Sequence, residues 1–160
     1  NQWPCVVQGV QVHGQIVLVH LGLALAVAGG VASERPESDR GDGAEFLAAR
    51  ITRESAELLG LQPGLAVQAL CKATAVRVER AAPGTSMPQA PASTYRLPAK
   101  AVRVVRGALG DEVAAELMLG TRATGVQMVG FAAPGSGLRV GSRVVLVVED
   151  TAVVLALSGL

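Results

Sequence analysis

Ile51-Thr52-Arg53-Glu54-Ser55-Ala56-Glu57-Leu58-Leu59-Gly60-Leu61-Gln62-Pro63-Gly64, continuing to Val67-Gln68-Ala69-Leu70-Cys71-Lys72-Ala73-Thr74, is the stretch that decides the fold. Thr52 carries a side-chain oxygen able to accept from the free N–H groups of a first helical turn. Good helix formers fill the next seven positions, and Gly60 takes most easily the left-handed conformation that stops a helix. The spacing therefore predicts a short helix over Arg53–Leu59. Pro63-Gly64 turns the chain, residues 66–70 form a strand, and Lys72 follows it.

The same punctuation returns further along. Gly60-Leu61-Gln62-Pro63-Gly64 parallels Gly137-Leu138-Arg139-Val140-Gly141, and Lys72-Ala73-Thr74-Ala75-Val76 parallels Glu149-Asp150-Thr151-Ala152-Val153. Both pairs stand 77 positions apart (60 to 137, 72 to 149). Trp3-Pro4 parallels Leu97-Pro98 at 94 positions (3 to 97), so the first copy carries about seventeen extra residues. Self-similarity at a fixed spacing marks a repeated structural unit. The excess falls naturally in residues 33–44, rich in Ser, Glu, Asp, Arg and Gly, which read as a solvated loop. Residues 81–94 hold Pro83, Pro88 and Pro91 and read as a linker.

Around these landmarks lie short β-forming segments at 6–12, 15–20, 24–28, 46–51, 66–70 and 75–78, then at 101–105, 112–119, 125–129, 143–148 and 152–157. Many short strands between turn signals predict a barrel or sandwich. The expected fold class is all-β: two tandem OB-like barrels of about five strands each, with one short helix. The expected division is 1–80 for the first repeat, with an inserted loop at about 30–45, then a linker at 81–96 and a second repeat at 97–160.

Composition supports this and excludes much else. Half of the 160 residues are hydrophobic and only 2% are aromatic, so the core must be built from Val, Leu, Ile and Ala. Fourteen basic and thirteen acidic residues give a net charge of +1, which offers no electrostatic footprint for nucleic acid. Residues 16–32 are apolar apart from His20, but Gly22, Gly29 and Gly30 and the missing basic flank favour a β-hairpin over a membrane helix. Cys5 and Cys71 are read as small core hydrophobes. The start at Asn1 rather than Met is taken to indicate a fragment of a longer protein.

No catalytic pattern emerges, so the chain is not expected to be an enzyme. His13 and His20 are the only histidines and lack Cys or Asp neighbours at ligand spacing. Gly41-Asp42-Gly43 and Gly135-Ser136-Gly137 lack the Lys-Ser/Thr of a phosphate loop. Asp111-Glu112 and Glu149-Asp150 are expected to be solvated turn residues. What remains is Thr52, Ser55 and Lys72 with its neighbouring backbone. Hydroxyls, free N–H groups and one ammonium suit a tetrahedral oxyanion. Taken alone, a capping Thr and a solvated Lys explain the same residues.

The run from Ile51 to Thr74 resembles the molybdate-binding Mop (molbindin, TOBE) repeat. That pattern is a Thr/Ser, Glu-Ser-Ala, Leu-Gly-Leu, Pro-Gly, and a strand ending in Lys-Ala/Ser. Asn1-Gln2-Trp3 is similar to the end of the same repeat's opening, and Leu97-Pro98, Arg106-Gly107-Ala108 and Glu112-Val113 resemble the opening of a second copy. The start is most similar to molybdate-responsive transcriptional regulators of the ModE type. The resemblance implies a cytoplasmic homodimer with molybdate or tungstate at the subunit interface, and DNA bound only through an upstream winged helix-turn-helix domain. It assigns the oxyanion to Thr52, Ser55, Lys72 and the backbone of Ala73, with molybdenum bound only as the oxyanion. Two relatives share such tandem repeats: molybdate ABC-transporter ATPases and free di-Mop storage proteins. A barrel pair that binds only protein is the rival from another class. The second copy departs from the pattern, with Val129, Ala132 and Glu149 at the positions of Thr52, Ser55 and Lys72. A carboxylate there repels a dianion, so the second barrel is expected to serve packing and dimerisation.

Overall fold

Alternation of apolar and polar residues builds both halves of the molecule. In the computed structural model, which describes residues 1–24, 46–82 and 93–158, β1 (Gln2–His13) turns Trp3, Cys5 and Val7 inward. β2 (Ile16–Leu23) contributes Val17, Val19 and Leu21 to the same core. β3 (Leu47–Thr52) follows, then α1 (Arg53–Leu59) and β4 (Ala66–Leu70). A 3-10 turn, Ala73–Ala75, leads into β5 (Arg77–Arg80). The second half runs β6 (Thr94–Val105), β7 (Asp111–Leu119), β8 (Arg122–Ala132) and β9 (Arg143–Glu149). It closes with a 3-10 turn, Asp150–Ala152, and β10 (Val154–Leu157).

The sheets do not follow chain order. The first is β10-β4-β1-β2-β3 and the second is a closed barrel, β5-β8-β7-β6-β9. Each repeat thus gives its last strand to the other: β5 pairs with β9, and β10 pairs with β4. The exchange makes one continuous core, in which Trp3 packs edge-on to Phe46 with ring centroids 5.9 Å apart.

The repeat is visible in the backbone. The register slips between Val7 and Gly9 in β1 and between Ala101 and Arg103 in β6, which are 94 positions apart (7 to 101, 9 to 103). The two 3-10 turns are 77 apart (73 to 150), as are β5 and β10 (77 to 154).

The helix falls on its predicted bounds because its ends are set locally. Thr52 accepts a hydrogen bond from the Ser55 N–H at 3.2 Å, and Gly60 takes φ 63° while its N–H reaches back to the Glu57 carbonyl. Other boundaries move. The strand expected at 75–78 begins at Arg77 and that at 152–157 begins at Val154, because a 3-10 turn occupies the positions before each. β6 starts at Thr94, where the sequence extended the linker. The strand expected at 24–28 and the loop at 33–44 lie almost wholly outside the described residues, as does most of the 81–94 linker. Among the described residues, no helix is long and apolar enough to cross a membrane.

Candidate oxyanion site

The four residues singled out by the sequence form two separate groups. Thr52 ends β3, and its hydroxyl donates to the Ser55 Oγ at 2.9 Å. Both side chains are exposed. Lys72, also exposed, lies between β4 and the 3-10 turn that Ala73 opens. The Lys72 carbonyl accepts the Ala75 N–H at 2.9 Å, which tightens the backbone around Ala73.

The strand register separates these groups. Thr52 is opposite Ile16, and Ile16 is opposite His13 at the end of β1. Leu70, two residues before Lys72, is opposite Gln2 at the start of β1. The structure therefore brings Thr52 to Ser55 and Lys72 to Ala73, at opposite ends of β1.

Lys72 lines an open pocket of about 490 Å3 with Asn1, Leu70, Cys71, Ala75, Ala152 and Val154. Neither Thr52 nor Ser55 lines it. One ammonium beside largely aliphatic walls suits an anion, because low-dielectric surroundings strengthen the field of the charge. The Asn1 side chain is engaged by the second repeat: its Nδ2 donates to the Val129 carbonyl and its Oδ1 accepts the Val129 N–H, both at 2.7 Å.

Sequence reasoning missed most of this pocket. Cys71, read as a core hydrophobe, is indeed buried, but it also forms part of the wall and donates its thiol to the Lys72 carbonyl at 3.7 Å. Burial pushes the Cys71 thiol up, and that of Cys5 to about 11, so both stay protonated at neutral pH. Ala152 and Val154 come from the second repeat. The 77-residue repeat makes Ala75 and Ala152 equivalents, but it does not reveal that they meet in one pocket.

Two acidic residues expected in solvent are buried, each about 1% exposed. Asp150 accepts from Arg50 Nε at 3.1 and 3.2 Å, through both its oxygens, and from Arg50 Nη2 at 3.1 Å. Asp111 accepts from the Ser136 hydroxyl at 2.7 Å, the Arg106 guanidinium at 2.8 Å and the Ser136 N–H at 3.2 Å. The Ser136 hydroxyl and the Arg106 guanidinium hold the Asp111 carboxyl down at about 2. Burial without water is compatible with these charges only because guanidinium and hydroxyl partners replace it. Among the described residues, no group of three or more His, Cys, Asp or Glu could hold a metal ion.

In the second repeat the corresponding region carries no helix. Strand register sets Ala132 opposite Asp111 as it sets Ile51 opposite Val17, so Ala132 stands at the place of Ile51 rather than Ser55. The counterpart of Thr52 is Ala133, just past the end of β8, rather than Val129 as the 77-residue spacing predicts. Val129 is engaged by Asn1, and Glu149 is exposed at the position of Lys72.

No curated protein sequence matches the chain. Residues 37–78, the part that carries Thr52, Ser55, Lys72 and Ala73, match the TOBE domain. Among solved structures, the cytoplasmic molybdate-binding protein ModG, in a form with molybdate bound, is similar over 98% of this chain and 95% of its own. The TM-score is 0.72 at 21% sequence identity, a likeness that identifies the fold as a tandem pair of OB-like barrels.

Proposed function

We propose that this chain binds molybdate or tungstate, with the oxyanion held between Thr52 and Ser55 of one copy and Lys72 and the Ala73 backbone of a second. The observation that carries the reading is the near end-to-end likeness to a structure holding molybdate, joined to a TOBE match over the four candidate residues. The separation of the two groups along β1 supports a site completed by a homodimer. Hydroxyls, an N–H and one ammonium neutralise a tetrahedral dianion without chemistry. Fixed donors admit molybdate and tungstate, which are nearly equal in size, and reject smaller sulfate by fit.

The host we favour is a cytoplasmic molybdenum-responsive regulator, in which an upstream domain contacts DNA and oxyanion binding shifts its conformational equilibrium. A second reading, a self-contained molybdate-binding protein, is favoured by the 95% coverage of ModG. The length of the encoded polypeptide separates the two.

Calorimetric titration with molybdate, tungstate and sulfate tests the binding itself. Saturable heat with the first two only, together with a rise in oligomer size on sedimentation, is the expected result. No heat with any of them from folded protein rules the reading out.

A further inference from the structure

The pocket at Lys72 has walls from both repeats. Asn1, Leu70, Cys71, Lys72 and Ala75 belong to the first, and Ala152 and Val154 to the 3-10 turn and β10 of the second. β10 is held by its ladder to β4 on one edge. On the other edge it has no ladder partner among the described residues. The equivalent strand in the second barrel is fastened there: Arg77 of β5 bridges to Phe131 of β8, and the Phe131 N–H donates to the Val76 carbonyl at 2.9 Å. The first barrel has no such bridge among the described residues, although Arg50 of β3 stands at the register position of Phe131.

Something else ties the exchanged segment to β3. Arg50, on β3, grips the buried Asp150 with two nitrogens at 3.1–3.2 Å. By strand register the counterpart of Arg50 is Phe131, and that of Asp150, 77 positions away, is Ala73, so the second barrel, which has the bridge, lacks the ion pair. We propose that Arg50 and Asp150 are positioning residues for the Lys72 pocket: their ion pair replaces the missing strand bridge and fixes the wall formed by Ala152 and Val154. A forked, charge-assisted contact fixes direction as well as distance. A carboxylate this deeply buried has no equally good position elsewhere. The inference concerns the shape of the pocket; only its second test rests on the oxyanion reading.

The first test needs no ligand. Cys71 lines the pocket, so its reaction with an aromatic disulfide reagent reports whether the wall is in place. In a Cys5→Ala background, Asp150→Asn and Arg50→Gln are expected to speed that reaction about tenfold, as loss of a charge-assisted hydrogen bond implies. Asp111→Asn removes the other buried carboxylate, outside the pocket, and is expected to leave the rate near that of the parent even where it lowers Tm. Equal rates in Asp150→Asn and Asp111→Asn, or no change in either, overturn the proposal. Should Asp150→Asn fail to fold, Arg50→Lys, which keeps the charge but not the fork, is expected to give an intermediate rate, and an unchanged rate counts against it. The second test is molybdate titration, where Asp150→Asn should weaken binding and Asp111→Asn should not. If the parent binds no oxyanion, the functional reading falls while the thiol measurement still decides the clamp.

Discussion

The two repeats share a scaffold and differ at one end of it. In the second, β8 ends at Ala132 with no helix after it and closes its barrel against β5, while Asp111, Arg106 and Ser136 fill the adjoining corner with charge-assisted hydrogen bonds. In the first, the chain leaves β3 at Thr52, forms α1 and leaves β10 unbridged. The repeat without a helix is sealed, with Glu149 facing solvent. The repeat with the helix has exposed hydroxyls at one end of β1 and an exposed ammonium by a pocket at the other. A few residues at a strand end thus separate a candidate binding unit from a closed one, with the remaining register conserved between them down to the position of the bulge.

The sharpest way to break this contrast is Lys72→Glu, which gives the first repeat the charge of the second. Oxyanion affinity should fall by about a hundredfold or more, as for reversal of a charge facing a dianion; calorimetry measures it, and unchanged affinity would remove Lys72 from the site. Next comes the seal of the second barrel. A Cβ on Gly130 would lie 2.7 Å from both the Val76 carbonyl oxygen and Cγ1. Gly130→Ala should therefore cost about 1–3 kcal/mol by overpacking, read from urea denaturation. Thr52→Ala removes the helix cap and should cost about 1 kcal/mol, a loss that Thr52→Ser should largely restore in the same assay.

The last effect appears only in acid, because the pH dependence is flat near neutrality. Asp111 sits at about 2 in the folded protein, below the ordinary value of 3.8. Its stabilisation is complete above about pH 4 and is lost as pH falls through about 2, because the unfolded chain takes up the proton first. Urea midpoints followed from pH 5 to pH 2 should decline more steeply for the parent than for Asp111→Asn, and parallel declines would show that the carboxylate is not so perturbed.

What the sequence made legible was local. Both ends of α1 follow from Thr52 and Gly60, which act within four residues of themselves. The repeat was readable because turn residues recur at fixed spacing. Strand exchange was not, since β5 and β10 are equally good partners for either sheet by pattern alone and only the assembled core chooses between them. Asp150 was misread for the same reason: its guanidinium partner lies 100 positions away. Asp111 had Arg106 only five positions off, but its Ser136 hydroxyl belongs to another turn. The candidate site was half legible. Its polar residues stood out by type, while Asn1 and the aliphatic walls carry no chemical signature.

The exchange of last strands also has a consequence for biosynthesis. The first barrel includes Val154–Leu157, so it stays incomplete while the ribosome makes everything between β4 and β10. Vectorial, domain-by-domain folding is closed to this chain. Its long-range pairings predict slow folding and a nascent chain whose β4 edge stays open to strangers until β10 emerges.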